Sequence, residues 1–419
     1  MDALSHLAVI WICVYLAVIA ANKTRLTPVL YFLALGSLLA NIGIIPEHPD
    51  VFIRGFADIG IILIMFALGF EENSANFIQG IKRSWGIALF GAIAPFIAAY
   101  LIADHYWQST PVSLMCALAM TATAVSLTMV SLKEEGLQGS PAATGIMTSA
   151  VLDDIASLAL VAILVPVATG SIEMSLASIS WILAKAIGFF VIVYIAGIIV
   201  FPHDLSGWMS RIPFLGALGI RHLLSFGEGK HTTLTVLLLA LLVGLLAHQF
   251  GFHPAVGAYM AGLILKEEYF QFHRYPDIDY YADTKQVVDN VAFSWIGPVF
   301  FVVLGAQIVF EPAMVIAVLP QTIFLTIGLL VAQVASASLA ARYTGGFNQA
   351  ESIMIGFGML GRAELAFVVI DIAYVQNNIL PAEAFFTLMF TAFFLNIAVP
   401  ISISLWKPYF LAAQKQTNN

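Results

Sequence analysis

Residues 141–169 read PAATGIMTSAVLDDIASLALVAILVPVAT, an apolar stretch long enough to cross a lipid bilayer as one helix. Two adjacent aspartates, Asp153 and Asp154, lie near its middle, and the stretch contains no Lys or Arg. A carboxylate at bilayer depth is unfavourable unless it is protonated, paired with another helix or bound to a cation in a wet cavity. The stretch therefore predicts a membrane helix with a chemical role as well as a packing role.

The whole chain has a composition typical of membrane proteins. Hydrophobic residues make up 60% and charged residues 10% of the 419 residues, whereas soluble domains contain about 45–50% apolar and about 25% charged residues. No long polar block interrupts the apolar runs, so we expect a single membrane domain over 1–419 and no nucleic-acid partner. Cys13 and Cys116 lie in apolar segments and indicate neither a disulfide nor a metal site.

About thirteen membrane helices are predicted from the apolar runs, and the basic residues orient them. Loops after odd-numbered helices, together with the C-terminal tail, hold fourteen of the 17 Lys and Arg residues, and the opposite side holds only Arg54. Because basic loops stay on the cytoplasmic side, we expect the N-terminus outside and the C-terminus in the cytoplasm, in the cell (inner) membrane. The predicted spans are 4–22, 26–44, 52–70, 82–103, 111–132, 141–169, 173–200, 231–250, 254–266, 286–309, 313–341, 350–374 and 381–406.

Two pairs of segments indicate that the chain consists of two inverted repeats. The strings at 64–71 (IMFALGFE) and 300–307 (FFVVLGAQ) resemble each other and lie seven helices apart, an odd separation that reverses the direction through the membrane. Polar or glycine-rich strings also interrupt the corresponding helices at 121–126 (TATAVS) and 356–362 (GFGMLGR). Interrupted helices in matching positions can expose backbone groups near the midplane, so they indicate a transport site.

Asp153 and Asp154 are the main candidates for ion binding. Burial favours the protonated carboxyl group and a bound cation favours the ionised one, so protons and a cation compete for the same oxygens. This competition indicates a secondary transporter that exchanges a monovalent cation, expected to be Na⁺, for protons. Adjacent residues point about 100° apart on a helix, so we expect Asp154 to bind the ion and Asp153 to assist. A buried acid that only holds helices together is the alternative.

Four further polar residues accompany the two aspartates. Thr121 and Thr123 offer hydroxyl ligands from the first interrupted helix, although Thr is also a routine packing residue in membrane helices. Arg362 and Glu364 lie two residues apart in the second interrupted helix. A buried Arg needs a compensating carboxylate, so we expect an ion pair that locks this helix, with direct participation of Glu364 in transport as the alternative.

Five segments of the chain together carry a family resemblance: 121–126, 151–154, 253–263, 297–305 and 358–364. They resemble the monovalent cation:proton antiporter superfamily, in the branch of bacterial sodium/proton antiporters that is related to the membrane domain of potassium-efflux antiporters. The resemblance covers nearly the whole chain. It implies an all-α polytopic fold in which the two interrupted helices cross.

The resemblance also implies how the molecule is organised. We expect a homodimer in membrane lipid that transports monovalent cations and protons without a further cofactor. Dimer-interface helices would come from 1–70 and 231–309, and an ion-translocating core from 82–169 and 313–406. The segment 173–200 would be a linker helix. The core would carry the aspartates between the two sides by an elevator movement.

The sequence leaves open the stoichiometry of transport and the identity of the transported ion. Electrogenic members of the family carry a Lys in helix 11, where this chain has Gln333, so Gln333 is expected to support the core and the stoichiometry stays open. The chain ends soon after the last predicted helix, and we expect no nucleotide-binding regulatory domain in it. A potassium/proton antiporter of the same fold and a sodium-coupled anion symporter are the alternatives. An enzyme is not expected, because an intramembrane aspartyl protease needs its two aspartates on facing helices.

Overall fold

A computed structural model describes residues 3–24, 27–46, 49–71, 76–170, 220–227, 229–271, 279–308, 312–362 and 364–417, with isolated positions from 180 to 195. The regular structure in these ranges is helical throughout. The predicted linker helix 173–200 falls largely outside the described residues.

Sixteen α-helices are assigned within the described residues. They are α1 (Ala3–Thr24), α2 (Pro28–Asn41), α3 (Val51–Glu71), α4 (Asn76–Trp107), α5 (Thr110–Ala119), α6 (Val125–Glu134), α7 (Pro141–Ala168), α8 (Ile220–Leu224), α9 (Thr232–Gln249), α10 (Pro254–Ile264), α11 (Tyr280–Asn290), α12 (Gly297–Ala306), α13 (Pro312–Tyr343), α14 (Gln349–Gly358), α15 (Glu364–Asp371) and α16 (Ala382–Thr417). Single π-helical turns follow α11 and α15, at Val291–Trp295 and Ile372–Gln376.

Every predicted span other than 173–200 coincides with a helix, or with two consecutive helices, in the described part of the chain. Eight stretches there are long and apolar enough to cross a membrane, and three shorter apolar helices accompany them. The ends were predicted less well than the centres. For example, α16 continues to Thr417, where 406 was expected, and it passes through Pro400 and Pro408. Hydropathy marks where a helix leaves the apolar layer, and a helix can continue beyond that point.

The described contacts divide the chain into two compact units. The first contains Met1–Val14, Pro49–Ser74 and Met174–Val303. The second contains Tyr15–His48, Ala75–Glu173 and Leu304–Asn419, and it includes every residue predicted for the ion site. The assignment of dimer-interface and ion-translocating segments stays a prediction.

Glycines set the packing of the first unit. Gly69 of α3 lies against the carbonyl of Tyr259 in α10, and Gly262 of α10 lies against the backbone of Phe66 and Phe70, so a Cβ at either glycine would clash. Small residues allow membrane helices to approach this closely. The glycines in the 64–71 and 253–263 strings therefore have a packing role in this unit.

The second unit contains four short helices and four long ones that contribute to its packing. The short helices α5, α6 and α14 contact members of the set α4, α7, α13 and α16, whereas α15 packs on α5. Among the long helices, α13 packs on α4 and on α16. Three of the four short helices therefore pack against long, continuous ones, and both breaks belong to this unit.

Candidate functional site

The first interrupted helix is broken between α5 and α6, at residues 120–124, which we call the first break. Thr side chains can hydrogen-bond to nearby backbone and so weaken a helix at this point. The Thr121 hydroxyl does so, donating to the carbonyl of Ala117 at 2.8 Å. The predicted interruption is confirmed, but it covers residues 120–124 and not 121–126, because α6 begins at Val125.

The second interrupted helix is broken between α14 and α15, and we call residues 359–362 the second break. Glycines flank and enter it. A Cβ at Gly358 would clash with Ile146, and a Cβ at Gly361 would lie 2.9 Å from the Cβ of Ala124. The predicted interruption at 356–362 is therefore confirmed, and its glycines allow neighbouring segments to approach closely.

The two breaks cross in direct contact. The backbone N–H of Ala124 donates to the carbonyl of Gly361 at 2.9 Å. The hydroxyl of Thr128, in the first turn of α6, donates to the carbonyl of Gly358 at 2.7 Å. The expected crossing of the interrupted helices is therefore present, and hydrogen bonds fix its register.

Arg362 is fully buried, and its side chain turns back onto the end of α14. Its Nη1 donates to the carbonyls of Met359, Leu360 and Gly361 at 3.2, 3.2 and 3.0 Å. These carbonyls lie at the C-terminal end of a helix, where the helix dipole places partial negative charge. The guanidinium therefore acts as a built-in cation for the second break.

Two buried amide side chains complete the surroundings of Arg362. Gln333 of α13 accepts from Arg362 Nη2 at 2.8 Å and donates to the carbonyl of Gly91 in α4 at 3.0 Å. Asn396 of α16 accepts from the backbone N–H of Arg362 at 2.7 Å and donates to the carbonyl of the same residue at 2.6 Å. Both polar backbone groups of Arg362 are therefore satisfied outside any helix.

Asp153 is fully buried and lies against the first break. Its Oδ2 accepts from the backbone N–H of Thr123 at 3.2 Å and from the Thr123 hydroxyl at 3.0 Å. Its Oδ1 has no hydrogen-bond partner among the described residues. The carboxylate also lies close enough to Arg362 for their charges to interact.

Asp154 differs from Asp153 in exposure. It is partly exposed and has interactions of its own. The expectation that the two acids face different surroundings agrees with this geometry, and Asp153 is the one directed at the neighbouring segment. Sequence reasoning placed Asp153 at the edge of the site, whereas the structure places it against the crossing.

The other predicted residues are distributed around the same crossing. Thr123 contacts Asp153, while Thr121 caps α5. Gln333 contacts Arg362. Glu364 begins α15 and is partly buried. The described hydrogen bonds of the Arg362 guanidinium go to carbonyls and to Gln333, so its pairing with Glu364 stays a prediction.

Sequence reasoning missed two residues at the crossing, Asn396 and Thr128. Asn396 is a single amide in the apolar run TLMFTAFFLNIAVP of α16. A polar side chain in such a run usually finds a partner on another helix. That signal could have drawn attention to Asn396, although it does not say which segment the amide contacts. Thr128 gives no such signal in the sequence.

The two breaks differ in which backbone carbonyls are used. In the second break, described hydrogen bonds account for the carbonyls of residues 358–362. Within the described part of the chain, the carbonyls of residues 120–123 in the first break and of Ala119 at the end of α5 accept no hydrogen bond, whereas the carbonyl of Ala124 accepts from the Thr128 hydroxyl at 3.1 Å. Free carbonyls beside a buried carboxylate can coordinate a cation.

Crossed, interrupted helices with a buried aspartate, in a chain rich in membrane-length helices, define a polytopic membrane transporter. The family described as "Sodium/hydrogen exchanger, transmembrane" matches residues 8–406. The chain belongs to this family, whose members are transporters and not enzymes.

Two relatives and one solved structure show the extent of the similarity. The probable Na⁺/H⁺ antiporter GerT of Bacillus cereus is 26% identical over 370 residues, which cover 87% of this chain and 88% of GerT. A Na⁺/H⁺ antiporter of Enterococcus hirae is 23% identical over 354 residues, covering 83% of each chain. The sodium proton antiporter MjNhaP1 from Methanocaldococcus jannaschii superposes with a TM-score of 0.68 at 18% identity, covering 96% of this chain and 99% of MjNhaP1. The predicted superfamily and fold class are confirmed.

Proposed function

We propose that this protein exchanges Na⁺ for H⁺ across the membrane, with both ions competing for the oxygens of Asp154 and Asp153. The observation that carries the proposal is the juxtaposition of a fully buried carboxylate, Asp153, with a break in which the carbonyls of residues 120–123 accept no hydrogen bond from the described residues. The names of the relatives in Bacillus cereus and Enterococcus hirae, both described as Na⁺/H⁺ antiporters, support the choice of ions.

The proposed ion site combines carboxylate, hydroxyl and carbonyl oxygens. No group of three or more His, Cys, Asp or Glu side chains suited to a metal occurs in the searched, described residues. Two carboxylates alone leave a cation with few ligands, so the remaining ligands are assigned to the carbonyls of residues 119–123 and to the hydroxyls of Thr121 and Thr123. Asp154, being partly exposed, would receive the ion from water.

Charge explains why cation and proton alternate at this site. Two ionised aspartates outweigh the single positive charge of Arg362, so an empty site carries net negative charge at bilayer depth. Moving this charge through the low-dielectric barrier is unfavourable. A bound Na⁺ or a bound proton reduces the charge, and either one allows the site to change sides. Because Na⁺ and a proton occupy the site in turn, each crossing of Na⁺ in one direction is linked to a crossing of a proton in the other.

The arrangement in the membrane belongs to the same proposal. The excess of Lys and Arg in alternate loops supports an N-terminus outside and a C-terminus in the cytoplasm of the inner membrane. The resemblance to antiporters supports a homodimer and an elevator movement of the ion-translocating core. A single moving core that contains both breaks would carry the complete site.

The test uses purified protein in liposomes loaded with acid and a pH-sensitive dye. Adding Na⁺ outside should raise the luminal pH, because protons leave as Na⁺ enters. Parallel additions of K⁺ and Li⁺, with and without an imposed voltage, measure selectivity and charge movement, and protein-free liposomes are the control. A response to K⁺ without one to Na⁺, or a Na⁺ uptake that requires an anion, would overturn the proposal in favour of one of the alternatives.

A further inference from the structure

Asn396 is the buried amide in the middle of α16, 1% exposed. Both ends of its side chain are engaged with a single residue of the second break. Its Oδ1 accepts from the N–H of Arg362 at 2.7 Å, and its Nδ2 donates to the carbonyl of Arg362 at 2.6 Å. An Asn side chain supplies a donor and an acceptor in one plane, so it can hydrogen-bond to both the N–H and the carbonyl of one residue.

This pairing is needed because Arg362 lies outside any helix. Its N–H and carbonyl have lost the partners that a continuous helix would give them, and a buried peptide group without a partner costs about 1–3 kcal/mol. Since α16 is continuous from Ala382 to Thr417, Asn396 fixes the end of the second break to a long helix.

A short series of hydrogen bonds leads from Asn396 to the buried aspartate. Asn396 holds Arg362, and the preceding residue, Gly361, accepts from the N–H of Ala124 at 2.9 Å. The residue before Ala124 is Thr123, whose N–H and hydroxyl both donate to Asp153. A shift of the second break along α16 would therefore move Thr123 relative to Asp153.

Another buried polar residue in the same helix lacks this connection. Thr391 is fully buried, and its hydroxyl has no hydrogen-bond partner among the described residues. Thr391 and Asn396 are thus both buried polar residues of α16, but only Asn396 contacts the crossing. Thr391 therefore offers a matched control for Asn396.

We propose that Asn396 is a positioning residue for ion binding, which sets the register of the two breaks and thereby the distance from Thr123 to Asp153. This inference rests on the proposed function. Asn396 acts through the backbone of Arg362, so its loss should change how well the site selects Na⁺ over protons, in addition to any effect on stability.

The experiment is a double-mutant cycle in proteoliposomes, with Asn396→Leu, Thr123→Val and the double variant. Asn396→Leu keeps the branched shape of the side chain and removes both hydrogen bonds, so the apparent Na⁺ affinity should fall about tenfold. In the Thr123→Val background the same substitution should cost about threefold, because part of the pathway to Asp153 is already lost. Thr391→Val should stay close to wild type. Asn396→Ser replaces Asn396→Leu in the cycle if the leucine variant is not recovered in the membrane.

The outcomes separate this inference from the function on which it rests. Equal fold-changes for the Asn396 substitution in both backgrounds, or an unchanged Na⁺ affinity, would show a purely structural residue and overturn the inference. The wild-type protein would still exchange Na⁺ for protons in that case. If the wild-type protein itself shows no Na⁺-driven proton movement, the proposed function fails before the cycle is considered.

Discussion

The two breaks occupy corresponding places in the two halves of the chain, yet they are completed in different ways. In the second break, the side chains of Arg362 and Asn396 hydrogen-bond to backbone groups that have no partner within a helix. In the first break, Asp153 accepts from the amide and hydroxyl of Thr123, and no described residue donates to the carbonyls of residues 119–123.

This difference assigns separate roles to two similar pieces of backbone. The second break contains its own positive charge, the guanidinium of Arg362, which contacts the carbonyls there. This break therefore needs no mobile cation. The first break lies beside an acid, the carbonyls of its residues 120–123 accept no hydrogen bond from the described residues, and in the proposed function a mobile cation would complete it. Under the proposed function, the two copies of the inverted repeat keep the same backbone pattern while only one of them binds the transported ion.

Substitution of Asp154, the partly exposed aspartate, is expected to have the largest effect on exchange activity. Asp154→Asn should abolish exchange while the protein remains folded in the membrane, because an amide cannot alternate between protonated and cation-bound forms. Asp153→Asn should weaken transport or change its charge stoichiometry, since its amide oxygen can still accept from Thr123. Luminal pH measurements in proteoliposomes check both variants. Near wild-type exchange by Asp154→Asn at saturating Na⁺ would contradict the assignment.

The pH dependence is expected to change strongly with the Na⁺ concentration. Protons occupy the carboxylates at low pH, so the apparent Na⁺ affinity should fall as pH falls. The acid side of the rate profile should move about one pH unit lower for each tenfold rise in Na⁺ when one proton competes with one cation. At high pH the rate should decline because the return step needs a proton. An acid limb that stays fixed over a hundredfold range of Na⁺ would exclude simple competition.

Removal of the Arg362 guanidinium from the second break should reduce the stability of the fold more than the affinity for Na⁺. Arg362→Leu removes the donors to three buried carbonyls and to Gln333, and losing one partner of a buried charged network costs about 3–5 kcal/mol. Thermal unfolding of the detergent-solubilised protein checks this loss. An unchanged melting temperature would show that Arg362 is not the cation of the second break.

Glu364→Gln tests the predicted partnership of Glu364 with Arg362. If the carboxylate compensates the buried guanidinium, this variant should also lower the melting temperature, by less than Arg362→Leu, because the carbonyls and Gln333 still contact the guanidinium. An unchanged melting curve together with lost transport would instead place Glu364 in the ion path.

The sequence predicted where helices stop but not how the freed groups are satisfied. Thr residues at 121–126 and glycines at 356–362 change local helix propensity, so both breaks could be located. The fold class also followed from the pattern, whereas Thr123 was only a candidate hydroxyl ligand and its contact with Asp153 is seen in the structure. The role of Asn396 could not be derived, because its bonds join residues 34 positions apart. Nor could the bond of Thr128, which spans 230 positions. Such partners depend on tertiary packing.

The smallest expected effects come from a matched pair of threonines at the crossing. Thr123 donates to Asp153 at 3.0 Å, and Thr128 donates to the carbonyl of Gly358 at 2.7 Å, so each Thr→Val change removes hydroxyl hydrogen bonding at nearly constant volume. Thr123→Val should lower the apparent Na⁺ affinity about threefold, because the open break loses a ligand and Asp153 loses a donor. Thr128→Val should lower the free energy of unfolding by about 1 kcal/mol and lower the Na⁺ affinity less than Thr123→Val does, because the bond from Ala124 to Gly361 still holds the register of the crossing.

Na⁺ titrations in proteoliposomes and melting curves in detergent measure the two quantities for both variants. The crossed result, with affinity lost in Thr128→Val and retained in Thr123→Val, would place the mobile ion at the second break. Because both hydroxyls are buried beside the same crossing, a general loosening of the helices would change affinity and stability together in both variants. A separation of the two quantities is therefore specific to an ion site at the first break, where Thr123 donates directly to Asp153.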